Sequence, residues 1–349
     1  MKSPGKILSC QFIGRIVSGW IVVCLIAGCS SGEDEIDAPP AQTPQIIVMY
    51  APGGLGDQGY NDCILTGVQN FKKTYFGKVE IYQYSPGSLE QAERLVSDWL
   101  SLPGSDIPAL FIVASNEYEQ LLTSQLAEKS LTSNKRILFF ESDNPAGLPV
   151  TTFRMSMYGA SYLAGVTAAC CMENTGKDAL VLLAHPADKV IATAEAGFRD
   201  GFTSVDPAVK VNTEYLADDW SGYISAPLAY QRMRMWAESY GFIYPVAGGS
   251  NQGIYRYTRE NEESPFTAGM DIDQSGLSRK ITGSMIKHID MVVYNYMESW
   301  LKTGELPESA TLGIESGYID WVLSRSYSQY STYVDAARDA AIKKEETEL

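Results

Sequence analysis

Short apolar runs alternate with longer amphipathic segments along the chain from residue 45 onward. The short runs are rich in β-branched and aromatic residues and predict β-strands: QIIVMY (45–50), VEIYQY (79–84), ALFIVA (109–114), RILFFE (136–141), VTTFRM (150–155), ALVLLA (179–184), VKVNTEYL (209–216) and FIYPVA (242–247). The segments between them predict helices and include residues 89–102, 161–172 and 226–240. Such alternation indicates parallel sheets with helices on both faces. Because eight strand–helix units are more than one sheet holds comfortably, we predict an α/β fold of two doubly wound lobes.

The predicted lobes are discontinuous in sequence and joined by hinge crossovers. We assign residues 45–152 and about 281–306 to the N-terminal lobe, and residues 153–280 and about 307–345 to the C-terminal lobe. In open parallel sheets, ligands bind beyond the carboxyl ends of the strands. We therefore expect the binding site in the loops that follow the predicted strands.

Residues 1–28 have the features of an export signal. Three basic residues precede an apolar stretch, residues 16–27, which is shorter than the roughly 18 residues that a membrane-spanning helix needs. The stretch ends in Ile26-Ala27-Gly28-Cys29, which resembles the lipobox of bacterial lipoproteins. Residues 29–44 are rich in acids and prolines and predict a disordered tether. We expect Cys29 to be lipidated and to anchor the exported chain to a bacterial membrane in the cell envelope. A plain signal peptide cleaved at small residues is the alternative.

The net charge and the positions of the cysteines and histidines exclude several classes of partner and site. A formal net charge of −15 argues against nucleic acid as a partner, because nucleic-acid binding depends on neutralising phosphates with Lys and Arg. Outside the export region the cysteines are Cys63, Cys170 and Cys171, an odd number without Cys-x-x-Cys spacing, so we expect no disulfide framework. His185 and His288 lack the spacing of metal ligands. We therefore expect neither a metal nor a cofactor.

The loop APGGLGDQGYND, residues 51–62, raises the question of phosphate binding. It contains the G-x-G-x-x-G pattern between a predicted strand and a predicted helix. Dinucleotide sites also need an acid at the end of the second strand, and here that strand ends in Tyr84-Ser85-Pro86. Asp57 lies inside the loop, where its carboxylate would repel a phosphate. These features argue against a dinucleotide-binding site.

A different resemblance covers about residues 45–305. The chain resembles the basic membrane protein (BMP) family, also called the purine nucleoside receptor A family. The blocks that carry the resemblance occur in the family's order: Gly56-Asp57-x-x-Tyr60-Asn61, Phe153-Arg154 through Tyr162-Leu163-Ala164-Gly165, Gly197-Phe198-Arg199-Asp200-Gly201-Phe202, Ala247-Gly248-Gly249-Ser250-Asn251-Gln252-Gly253, and Gly269-Met270-Asp271-Ile272-Asp273-Gln274 with Thr282-Gly283-Ser284-Met285-Ile286-Lys287. The resemblance implies a type I periplasmic-binding-protein-like fold. It also implies a lipoprotein that binds a purine nucleoside for an ABC permease.

The resemblance assigns the ligand's base to the loop after the first strand and to the opposite lobe. Tyr60 stands where the family has a stacking Phe, and Asp57 and Asn61 are implied to meet the polar edges of the base. Asp and Asn at this place are also typical helix caps, so capping is the alternative. Trp220 lies near the family's second stacking aromatic residue, and Tyr223 is its rival.

The resemblance assigns the sugar to the later blocks. Asp271 and Lys287 are implied to hold it, because a carboxylate accepts from hydroxyls and an ammonium donates to oxygens; an ion pair between lobes is the alternative. Asp143 matches a family Asp at the cleft, or it forms a turn. Gly248 and Gly249 would let the backbone approach the ligand, or they permit tight turning.

Two further functions remain open on the sequence. The same fold could bind riboflavin, a pyrimidine nucleoside or another small molecule as a scavenger or sensor. The clustered Asp271 and Asp273 could instead serve a nucleoside-processing enzyme, but the sequence shows neither a nucleophile nor a metal motif for it. We therefore expect a binding protein rather than an enzyme.

Overall fold

The computed structural model describes residues 42–103, 106–173 and 175–348. The predicted signal segment, Cys29 and the tether up to residue 41 lie outside the described residues. Within those described ranges, no helix combines the length and apolar character that crossing a membrane requires.

Strands and helices alternate as the hydrophobic pattern predicts. The strands are β1 (Gln45–Met49), β2 (Glu80–Tyr84), β3 (Ala109–Val113), β4 (Lys135–Phe140), β5 (Thr151–Met155), β6 (Asp178–Leu183), β7 (Val211–Tyr215), β8 (Tyr240–Val246), β9 (Phe266–Gly269), β10 (Ile281–Lys287), β11 (Ala310–Leu312) and β12 (Ile319–Leu323). The helices are α1 (Tyr60–Thr74), α2 (Leu89–Ser101), α3 (Glu119–Glu128), α4 (Tyr158–Met172), α5 (Lys189–Val205), α6 (Ala226–Ser239), α7 (Asn251–Glu260), α8 (Ile289–Thr303) and α9 (Ser331–Glu348). Short 3-10 turns lie between several of them.

Two six-stranded sheets organise the chain into two lobes. The first sheet has the order β11-β5-β4-β3-β1-β2 and the second has the order β12-β10-β9-β8-β6-β7. All described pairings are parallel except that of β12, which runs antiparallel to β10 at one edge. The central strands are buried on both faces, as near-continuous apolar runs require. The prediction of two doubly wound lobes is confirmed.

The structure divides the chain between the lobes differently from the sequence-based assignment. Strand β10, assigned to the first lobe, pairs with β9 and β12 in the second sheet. Strand β11, assigned to the second lobe, pairs with β5 in the first sheet. Helix α8, which follows β10, packs on α1 of the first lobe, where Gly67 lies against the backbone of Asp290. The chain therefore crosses between lobes after β5, after β10 and after β11.

One buried carboxylate joins two of these crossovers. Glu345 of α9 is 3% exposed and accepts hydrogen bonds from Ser156 Oγ at 2.7 Å and from the Gly159 N–H at 2.9 Å. Its second oxygen accepts from the Ile314 N–H at 2.7 Å. Ser156 follows β5 and Ile314 follows β11. Helix α9 thereby ties both crossovers to the second lobe.

Glycines let α4 and α5 pack backbone to backbone. A Cβ atom on Gly201 would lie 1.9 Å from the Tyr162 carbonyl oxygen, and one on Gly165 would lie 2.1 Å from the Phe198 carbonyl oxygen. Helix α4 is apolar on nearly every face and almost fully buried. Its Cys171 is buried and its neighbour Cys170 is half-buried, and both are free thiols, as is Cys63.

Candidate functional site

A cavity lies between the lobes at the carboxyl ends of the strands. Its walls combine apolar side chains such as Met157, Val246 and Met270 with tyrosines and carboxylates from both lobes. This is the location that parallel α/β sheets give to ligand sites. The loops after β1, β3, β4, β6, β8 and β9 all contribute to it.

The loop after β1 positions the start of α1 against the cavity. The Asp57 carboxylate accepts hydrogen bonds from the N–H groups of Gly59 at 3.0 Å and Asn61 at 2.8 Å, so it caps the helix while lining the cavity. Burial raises the pKa of Asp57, and these N–H groups oppose the rise. Asn61 is 3% exposed and accepts from the Ala51 N–H at 2.9 Å, so its carbonyl oxygen holds the loop. Asn61 is outside the cavity lining, and its side chain fixes the loop rather than capping the helix.

Tyr60 faces the cavity from the first turn of α1. Its hydroxyl is buried and, among the described residues, has no hydrogen-bond partner. Lys287 Nζ lies 5.9 Å from the centre of its ring, within range of a cation–π contact. Burial raises the pKa of the phenol well above its ordinary value. The ring therefore offers an apolar face, and the hydroxyl offers an unused polar group.

Asp271 and Lys287 form a buried ion pair in the same cavity. Lys287 Nζ lies 3.4 Å from Asp271 Oδ1, and the two side chains are 8% and 10% exposed. Asp271 follows β9 with φ of 67°, a left-handed conformation that is uncommon for a residue with a Cβ. Burial favours neutral Lys287, but the carboxylates of Asp271 and Glu141 outweigh it and raise the pKa of Lys287 above its ordinary value.

Glu141 is a cavity residue that the sequence analysis missed. It follows β4 with φ of 57° and is 6% exposed. Its Oε2 accepts from the Met155 N–H at 3.0 Å, whereas its Oε1 has no hydrogen-bond partner within the described ranges. Burial raises the pKa of Glu141 to about 7, against the opposing charge of Lys287. The sequence did contain a signal for Glu141, because this residue ends the predicted buried strand RILFFE (136–141).

Asp143, which the sequence analysis selected instead, lies outside the cavity lining. Its side chain is 60% exposed and forms an ion pair with Arg154 at 2.6 Å. The left-handed backbone at Glu141 changes the chain direction immediately after β4, so the acid two residues later faces solvent. The structure therefore brings Glu141, and not Asp143, to the cavity.

On the second lobe the cavity is lined by Tyr223 rather than Trp220. Both belong to one short 3-10 turn, Trp220–Tyr223, and its geometry, rather than the residue type, decides which ring enters. Gly248 lines the cavity with φ of 51°, and a Cβ there would meet the Tyr223 ring at 3.0 Å. Gly249 is not part of the lining, although a Cβ there would approach the Tyr223 carbonyl at 3.3 Å.

Hydrogen bonds between the lobes close one rim of the cavity. Glu117 of the first lobe contacts His185 Nε2 of the second at 2.7 Å, and Asn116 Nδ2 donates to Asp188 Oδ1 at 2.9 Å. We call these four residues the interlobe latch. The hydrogen bond to Glu117 raises the pKa of His185, against the effect of burial. The structure is therefore that of a closed cleft.

Three latch residues, Glu117, His185 and Asp188, have their oxygen and nitrogen atoms close enough to surround a metal ion. Those atoms are already used in hydrogen bonds. Asp188 accepts from Asn116, from the Val190 N–H at 2.8 Å and from the Tyr223 hydroxyl. His185 Nδ1 accepts from the Ala187 N–H at 3.3 Å. The donor set fits an interlobe hydrogen-bond network better than a metal centre.

Curated proteins of similar sequence include basic membrane proteins of Borreliella burgdorferi. The chain is 23% identical over 319 residues to Basic membrane protein D of Borreliella burgdorferi, covering 89% of this chain and 87% of that protein. It is 24% identical over 291 residues to Basic membrane protein C of the same organism, covering 79% of this chain and 80% of that protein.

Solved structures of similar shape include solute-binding proteins of ABC transporters. One from Aeropyrum pernix K1 aligns with a TM-score of 0.66 at 17% identity, covering 87% of this chain and 86% of that one. Another, from Burkholderia graminis C4D1M in complex with D-arabinose, aligns with a TM-score of 0.60 at 13% identity, covering 84% and 99% of the two chains. At such identities the likeness shows the fold, which is the two-lobed periplasmic-binding fold.

The family described as ABC transporter substrate-binding protein, PnrA-like, matches residues 45–348. This match spans both sheets and every residue group that lines the cavity. The chain therefore belongs to the Bmp family of PnrA-like ABC transporter substrate-binding proteins.

Proposed function

We propose that this protein captures a purine nucleoside in the cavity between its lobes and delivers it to an ABC permease. Family membership itself implies a small-molecule ligand, a permease partner and a place in the cell envelope, and the family consists of binding proteins rather than enzymes. The observation that carries the nucleoside proposal is that an aromatic ring and a buried carboxylate–ammonium pair face the same cavity: Tyr60, Asp271 and Lys287.

Each of these groups suits one part of a nucleoside. Stacking of a base on the Tyr60 ring would contribute about 1–3 kcal/mol. The Asp271 carboxylate can accept from two neighbouring sugar hydroxyls, and Lys287 can donate to a sugar oxygen. Tyr223 adds an aromatic wall from the opposite lobe. Because the groups come from both lobes, the ligand would stabilise the closed form.

The direct test is thermal unfolding of the protein with a panel of inosine, guanosine, adenosine, cytidine and uridine, with D-ribose as the sugar-only control. A ligand at a hundred times its Kd adds about 2.7 kcal/mol to the free energy of unfolding, so a purine nucleoside should raise the melting temperature. Tyr60→Ala should weaken its binding about tenfold or more. Phe76→Ala, which changes an aromatic residue 83% exposed on the same lobe, is the control. A panel without any stabilising nucleoside would refute the proposal.

A second candidate is the same capture function for another heterocyclic ligand, such as riboflavin or a pyrimidine nucleoside. The buried Tyr60 hydroxyl favours it, because the family's stacking Phe carries no such polar group and the hydroxyl calls for a partner on the ligand. Mass spectrometry of small molecules released from natively purified protein distinguishes the two candidates. Recovery of a flavin or a pyrimidine nucleoside would replace the purine assignment.

We further propose that the protein is anchored through a lipid on Cys29, on the basis of the Ile26-Ala27-Gly28-Cys29 sequence. Cys29 lies outside the described residues, so the test is chemical. Labelled palmitate should be incorporated into the full chain and not into Cys29→Ser. Equal labelling of the unaltered chain and of Cys29→Ser would contradict lipidation at Cys29.

A further inference from the structure

Glu141 combines three unusual properties at one place in the cavity. It is buried, its backbone has φ of 57°, and its Oε1 has no hydrogen-bond partner among the described residues. A residue with a Cβ in the left-handed region costs of order 1–3 kcal/mol and persists where the surrounding structure enforces it. A buried carboxylate oxygen without a hydrogen-bond partner adds a further cost in free energy, because it has lost its contacts with water. Both costs fall on the same residue, and a ligand that donates to Oε1 would remove the second of them.

The surroundings of Glu141 make its charge sensitive to what enters the cavity. Lys287 on β10 favours the ionised form of the carboxyl, whereas Asp188 before α5 and Asp271 after β9 disfavour it. Tyr60 on α1 and Tyr223 on the 3-10 turn face the same group with phenols that stay protonated. Burial outweighs Lys287, so the pKa of Glu141 is raised to about 7 in the unliganded cavity.

We propose that Glu141 is a specificity-determining residue: its free Oε1 accepts a hydrogen bond from a donor group of the ligand, and this bond couples binding to release of the carboxyl proton to solvent. The proposal rests on the proposed nucleoside function, whose hydroxyl and N–H groups are such donors. A hydrogen bond to the ionised form favours ionisation. A ligand that presents a donor at this point therefore favours loss of the proton, whereas a ligand that presents only acceptors keeps the proton, because the protonated carboxyl can donate to it.

The direction of the pH effect follows from linkage. Below about pH 7 the unliganded carboxyl is protonated, so a ligand that needs the carboxylate must displace a proton. Affinity should fall by about tenfold between pH 8 and pH 6, because each pH unit below the free pKa costs up to a factor of ten for one displaced proton. Above pH 8 the affinity should level off.

The test is isothermal titration calorimetry of the purified protein with the tightest-binding nucleoside of the five-member panel, starting with inosine. Titration near pH 6 in two buffers of different ionisation enthalpy measures the protons released. We expect close to one proton per ligand near pH 6 and almost none near pH 8. Glu141→Gln should abolish both the release and the tenfold pH dependence while the protein still binds. Glu128→Gln, an exposed Glu at the end of α3 with the same change in charge, should behave as the unaltered protein.

The outcomes separate this inference from the function on which it rests. If none of the five nucleosides binds, both the proposed nucleoside function and the proposed role of Glu141 are refuted. Binding without proton release, or release that persists in Glu141→Gln, overturns the role of Glu141 and leaves the nucleoside function standing. Thermal unfolding of Glu141→Gln near that of the unaltered protein shows that the variant is folded during the comparison.

Discussion

At the scale of single residues, Lys287 is the buried cation of the cavity and lies between the carboxylates of Asp271 and Glu141. Lys287→Met keeps much of the side chain's volume and removes its charge. Breaking a buried pair by removing one partner costs about 3–5 kcal/mol, because it leaves a charge uncompensated. We expect a loss of that order in the free energy of unfolding, measured by urea denaturation, together with loss of nucleoside binding.

The control for this prediction is Lys73→Met, which removes an exposed lysine in the last turn of α1. Surface changes of this kind usually alter the free energy of unfolding by less than about 0.5 kcal/mol. The double variant Lys287→Met with Asp271→Asn should recover part of the loss, because the unpaired carboxylate is removed as well. A Lys287→Met protein as stable as Lys73→Met would show that the pair contributes nothing.

At the scale of elements, the contact of α4 with α5 depends on glycines that allow the two backbones to touch. Gly201→Ala would place a Cβ atom 1.9 Å from the Tyr162 carbonyl, so the helices must move apart. Overpacking typically costs about 1–3 kcal/mol, and we expect a lower melting temperature to show it. Gly276→Ala, where a Cβ would meet nothing within 4 Å, should leave the melting temperature nearly unchanged. Equal melting temperatures for both variants would contradict this account of the packing.

The elements also show what the sequence could and could not predict. Local patterns placed most strands and helices, because periodicity depends on neighbours in sequence. The membership of β10 and β11 was assigned wrongly, because which sheet a strand joins depends on distant partners. Among the selected site residues, Asp57, Tyr60, Gly248, Asp271 and Lys287 line the cavity, because each lies at or beyond the carboxyl end of a strand. The sequence analysis missed Glu141 and placed Tyr223 second to Trp220. In both places a backbone turn of a few residues decides which side chain enters the cavity, and residue types alone do not predict that turn.

At the scale of the whole molecule, we expect the interlobe latch to make the stability of the folded, closed form depend on pH. The pKa of His185 is raised by Glu117, so the stabilisation from this contact is fully present below the unfolded pKa of about 6.5 and is lost as pH rises through the folded pKa. We expect an effect on the order of 1 kcal/mol in the free energy of unfolding. Thermal unfolding across this pH range should show it, and His185→Gln should remove it.

The other histidine of the chain supplies the matched control. His288 precedes α8, and none of the described ion pairs involves it. His288→Gln should therefore leave the pH profile of unfolding as it is in the unaltered protein. A profile that flattens in His288→Gln, or that stays steep in His185→Gln, would place the titrating group elsewhere.

Glu345 has a consequence for the order of events during biosynthesis. The strands of both sheets precede it in the chain, yet two of the three crossovers receive their shared acceptor only when α9 has been made. A nascent chain can therefore assemble both sheets before this constraint on their mutual orientation exists. The link that Glu345 makes between the two crossovers therefore forms only after the strands of both sheets have been synthesised.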